Sequence, residues 1–218
     1  MSKRRPHPDD ELMGELFAIA EALYRPGPER DAAAARFGEL DGEYGAPGRF
    51  DLLSPDTASF LLHVAYRIAM KSGKPEQARD LALRFFTHPQ AETALAQDEQ
   101  QFMRYLGATA TYRCGADSEA LALIRPVLEQ CRLPYQRGAL YTVRAVLLEC
   151  CEYQADRPEK VVSENFVAFA EEVYRRLKRS KSTRRRLPDP ATVRDVYDLL
   201  NSSYPAERQR MYAPDTDS

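Results

Sequence analysis

Through the middle of the chain, apolar residues recur at steps of three and four, and no stretch alternates in the way a half-buried strand would. That period predicts amphipathic helices and an all-α fold. Four short breaks interrupt the pattern: RPGPERDA at 25–32, KSGKPEQA at 71–78, YRCGADSEA at 112–120 and YQADRPEKV at 153–161. Their equivalent turn positions, Gly27, Gly73, Gly115 and Asp156, are 46, 42 and 41 residues apart, a recurrence that predicts stacked helical hairpins. Glycine eases the end of a first helix, while Pro75 with Glu76, and Pro158 with Glu159, suit the first turn of a second.

The second and third units, AYRIAMKSGKPEQARDLALRFFTHP and YLGATATYRCGADSEALALIRPVLEQC, resemble tetratricopeptide repeats. In that family a Gly precedes the second helix, a small residue follows five positions later, and a large apolar one sits near the helix middle. Gly73, Ala78 and Phe85 fit this pattern, as do Gly115, Ala120 and Ile124. The resemblance covers roughly 59–177 and departs from the family in three respects. The spacing is longer, Arg104 and Arg144 stand where a large apolar residue is usual, and Pro126 interrupts a second helix.

The resemblance implies a tetratricopeptide-like superhelix whose first helices line a concave groove. The groove positions would be Phe60, His63, Arg67 and Met70, then Phe102, Tyr105, Thr109, Tyr112 and Arg113, then Val143, Val146, Cys150 and Tyr153. Spacings of three, four and seven place each set on one helical face, independent of any family. Such a stripe can wall a peptide groove, or it can be core covered by the N-terminal hairpin or the final helix. The expected organisation is an N-terminal hairpin with a Gly-rich loop over 1–50, repeats over 51–177, a basic linker over 178–190 and a terminal helix with tail over 191–218. Val193, Val196, Tyr197 and Leu200 give that last helix its apolar face.

Charge sharpens this picture at one place. The chain carries 31 Lys and Arg against 33 Asp and Glu, a formal net charge of −2. Arg175, Arg176, Lys178, Arg179, Lys181, Arg184, Arg185 and Arg186 lie together with no acid among them, so the remainder is acidic. A basic run of this kind can bind phosphates, complement a helix C-terminus or meet acidic surface elsewhere in the chain. No aromatic residue is interleaved from Arg175 to Arg186 for base stacking. The four cysteines show no C-x-x-C spacing, and the start of the chain has no apolar core, so a reduced, cytoplasmic protein is expected. Membrane insertion is not expected, since the most apolar stretch, SFLLHVAYRIAM, is far short of a span.

Candidate chemistry is sparse. His7-Pro8-Asp9-Asp10-Glu11 resembles the zinc-binding motif of N-acetylglucosaminyl deacetylases, in which the His and one Asp hold zinc and the other Asp is the general base. No apolar strand precedes it, and the downstream histidines His63 and His88 are isolated. The same letters also describe a helix start, with proline in the first turn and acids on the positive terminus. Gly73-Lys74-Pro75 lacks the Ser or Thr of a phosphate loop, and Gly38, Gly42, Gly45 and Gly48 match no dinucleotide fingerprint and read as a loop. The leading expectation is a noncatalytic adaptor or chaperone that holds a partner segment, with no cofactor or metal. A nucleic-acid-associated regulator using 175–186 is the alternative, and a zinc deacetylase using His7 is the remote one.

Overall fold

A computed structural model of the chain describes residues 8–25, 27–130, 137–157 and 163–179. Among these residues the regular structure is entirely helical: α1 (Pro8–Ala22), α2 (Pro28–Tyr44), α3 (Pro55–Lys71), α4 (Pro75–Arg84), α5 (Gln97–Arg113), α6 (Asp117–Gln130), α7 (Arg137–Ala155) and α8 (Glu164–Arg179). Three short 3-10 turns, Phe50–Leu52, Phe85–Thr87 and Ala94–Ala96, lie in the loops. The four breaks read from the sequence fall between α1 and α2, α3 and α4, α5 and α6, and α7 and α8.

Local chemistry explains these boundaries. α3 starts where the Ser54 hydroxyl accepts the Thr57 N–H, with Pro55 as the first helical residue. It stops at Gly73, whose φ of 68° is left-handed backbone that a side chain would strain. Pro75 then opens α4. Ala78 and Ala82, both fully buried on α4, let the two helices of this hairpin approach closely.

Three details depart from the sequence reading. Gly38 and Gly42 lie inside α2 rather than in a loop, because Ala33, Phe37 and Leu40 give that helix one continuous buried stripe. Pro126 does not break α6: it removes one backbone bond, to the Ala122 carbonyl, while Ile124, Val127 and Leu128 keep the helix anchored in the core. The last hairpin's second helix begins at Glu164, where the Ser163 hydroxyl accepts the Phe166 N–H; Pro158 and Glu159 lie outside the described residues.

The chain forms two compact units, 1–110 and 111–218, and the division falls within α5. In the first unit α1, α3 and the body of α5 run in the same direction. The Asp9 carboxylate accepts the Ser54 N–H at one end of α1 and α3, and Lys71 Nζ donates to the Leu23 carbonyl at the other. Glu99 near the start of α5 meets Asp56 near the start of α3, and Phe102 meets His63 further along. α2 packs on α1 and α4 on α3, and the enclosed core runs from Leu16 through Leu61 and Leu62 to Met103, all with no exposed surface.

In the second unit α6, α7 and α8 pack on one another. Arg176 donates to the Leu128 carbonyl, so the ends of α8 and α6 coincide and these two helices run the same way. The last turn of α5 joins this unit through Tyr112.

Candidate functional site

Helix α3 carries Phe60, His63, Arg67 and Met70 along one half-buried face. In the first unit that face is flanked by α1 on one side and α5 on the other. The Phe17 ring of α1 lies 4.4 Å from Phe60, and the Phe60 ring meets His63 edge-on at 5.8 Å. His63 in turn meets Phe102 of α5 at 4.9 Å, and Phe102 lies 6.2 Å from Tyr105. Further along, the Arg67 guanidinium sits 3.5 Å over the Tyr24 ring. The groove residues Phe60, His63, Arg67, Met70, Phe102 and Tyr105 are thus brought together as one aromatic face.

Two of its members were not expected from the sequence. Phe17 and Tyr24 belong to the N-terminal hairpin, and their rings remain 57% and 60% exposed. Phe17 lies on α1 and Tyr24 in the turn that follows it, so no single helical period announces the pair. α1 therefore does occupy part of the face of α3, with Leu12, Leu16, Ile19 and Leu23 turned into the core, and it adds rings of its own to the part left open.

Electrostatics give the face two different ends. Burial, and secondarily the Arg67 charge, push the His63 pKa down to about 4, so the ring is neutral at physiological pH. Arg67 is held below its ordinary value by burial, which its contact with Tyr24 partly offsets. At the other end Glu99 is raised, first by burial and then by Asp56 and Asp98. The face has the equipment to hold an apolar segment and to sort its charges. Among the described residues no group of His, Cys, Asp and Glu could hold a metal ion.

No protein-family profile, curated protein or solved structure matches the chain.

The remaining groove positions lie elsewhere. Thr109, Tyr112, Val143, Val146 and Cys150 are buried and line no open wall. Tyr112 is 1% exposed, its hydroxyl donates to Gln154 Oε1 at 2.8 Å, and its ring meets Phe166 at 4.9 Å. Tyr112 is closed over within the second unit by Gln154 of α7 and Phe166 of α8. Arg113 and Tyr153 form a local pair: the Tyr153 hydroxyl donates to the Arg113 carbonyl, and the Arg113 guanidinium stands 5.3 Å over the Tyr153 ring. The two unusual arginines are accommodated differently, Arg104 over the Phe86 ring at 4.8 Å and Arg144 buried in α7.

The basic run is only partly described. Arg176 bridges Glu172 and the Leu128 carbonyl, so it ties α8 to α6 instead of standing in a solvated patch. Arg175 is exposed and lines an open cleft of about 760 Å³ between α6 and α8, together with Arg125, Pro126 and Glu172. Lys178 and Arg179 close α8; Lys181, Arg184, Arg185 and Arg186 lie outside the described residues, as does the expected helix bearing Val193, Val196, Tyr197 and Leu200. The apolar face of α8, with Phe166, Phe169, Ala170 and Val173, is used in the core of its unit. Among the described residues no helix is long and apolar enough to cross a membrane.

Of the deacetylase-like motif, His7 lies outside the described residues and Pro8 to Glu11 form the first turn of α1. His63 is enclosed by Phe60 and Phe102, while His88 is buried with its Nε2 on the Leu53 carbonyl and its Nδ1 accepting the Gln90 N–H. Both ring nitrogens of His88 therefore have protein partners.

Proposed function

We propose that the chain is a noncatalytic adaptor or chaperone that holds a segment of another protein on the aromatic face of its first unit. The reading includes a tetratricopeptide-like stacking of hairpins, supported by the recurring turn positions and by the common direction of α1, α3 and α5. The observation that carries the functional reading is the exposure of Phe17 and Tyr24. Large rings packed on a half-buried face, Phe17 on Phe60 and Tyr24 on Arg67, yet more than half open to water, are the composition from which interface anchors are built. The alternative, a nucleic-acid regulator, draws less support because Arg176 already has internal partners.

The test is photo-crosslinking in the native cell. A photoreactive aromatic amino acid at position 17 should yield a discrete protein adduct, while the same group at the exposed position of Arg30 on α2 should not. Equal adducts at both positions, or none at position 17, would count against the reading.

A further inference from the structure

Resting on that reading, we infer that the partner segment is acidic at one point: it places a carboxylate on Arg67 while apolar side chains cover Phe17, Phe60 and Phe102. Arg67 is a half-buried guanidinium with no carboxylate partner among the described residues; its contacts are with Tyr24. Stacking on a ring engages the flat face of a guanidinium and leaves its edge, which carries the N–H donors in a fork that matches a carboxylate. Arg67 lies on the same face of α3 as His63 and Phe60, one and two turns away, so one bound segment reaches all three.

The surrounding charges narrow the chemistry further. His63 is neutral at physiological pH, so it adds no cation near the rings; the positive charge gathers at the Tyr24 end, where Arg67 stacks on the ring at 3.5 Å and Lys71, 5.6 Å from its centroid, is held by the Leu23 carbonyl. At the opposite end Asp56, Asp98 and Glu99 have no basic ion-pair partner among the described residues, so a second acid placed there would be repelled. From Asp56 to Arg67 along α3 the rise is about 16 Å. A segment lying along the face therefore has one favoured direction, with its acid toward Arg67.

The experiment selects binders from a display library of random peptides on the full-length protein, then measures each peptide and its acid-to-amide variant against wild type, Arg67→Gln and Arg67→Lys. Circular dichroism melts confirm that every variant is folded. Recovered peptides should share an acidic position next to apolar ones. Converting that acid to its amide should weaken binding to wild type by about tenfold and leave binding to Arg67→Gln nearly unchanged, since the two changes remove one interaction. Arg67→Lys should restore part of the dependence. Peptides that lose affinity on Phe17→Ser but carry no acid, or whose acid is uncoupled from Arg67, would overturn this inference and leave the aromatic surface standing. Recovery of no binder, or of binders indifferent to Phe17→Ser, would overturn both.

Discussion

Asp9 and His88 grip one peptide bond from its two sides. The Asp9 carboxylate accepts the Ser54 N–H at 2.7 Å, and His88 Nε2 donates to the Leu53 carbonyl at 3.1 Å. The acid of the deacetylase-like motif thus serves to fix the entry of α3 against the start of α1. His88 also stacks with Phe85 and meets the Phe50 ring edge-on, so the α2–α3 and α4–α5 loops meet at it.

Removing either grip strands a buried polar group. His88→Ala should cost about 2–4 kcal/mol, combining a cavity with an unsatisfied carbonyl. Asp9→Ala should cost about 1–3 kcal/mol, and Asp9→Asn, which keeps an acceptor, clearly less. Urea denaturation midpoints check this; an Asp9→Asn as damaging as Asp9→Ala would mean that the charge, and not the hydrogen bond, matters.

Tyr112 should behave as a core residue. Tyr112→Phe removes the bond to Gln154 and should cost about 1 kcal/mol, whereas Tyr112→Ala should cost about 3–5 kcal/mol by leaving a cavity beside Phe166. A Tyr112→Ala protein with an unchanged melt would contradict this placement.

How much of this was legible in the sequence depends on the kind of information each feature carries. The turns at Gly27, Gly73 and Gly115 announce themselves because the left-handed backbone there needs glycine locally. The stripe through Thr109, Tyr112, Val143 and Val146 was equally visible as a periodic face. Periodicity says that residues share a side of a helix, but whether water or another helix meets that side is decided, at Tyr112, by Gln154 and Phe166, far along the chain. Asp9 illustrates the same limit. Its place in a first helical turn is local and readable, while its bond to Ser54 is tertiary. Phe17 and Tyr24 joined the face only once α1 was seen to run beside α3.

His63 should give the protein an acid-sensitive component of stability. Its folded pKa of about 4 lies below the unfolded value near 6.5, so the unfolded chain takes up a proton first as pH falls. Stability is therefore lost between about pH 6.5 and 4 and levels off below. Glu99, raised in the folded state, works in the opposite sense as it titrates above its unfolded value. His63→Leu should flatten the fall in melting temperature over that interval relative to wild type; parallel curves would show that His63 does not titrate as described.

The claim that most needs testing is that the face shared by α1, α3 and α5 is where a partner binds. Phe17 decides it, because its ring is more than half exposed and its loss should leave the fold almost untouched. Calorimetric titration of one display-selected peptide into wild type and Phe17→Ser should show affinity weakened about tenfold or more, with both proteins melting cooperatively at similar temperatures. Equal affinities for the two folded proteins would contradict the account.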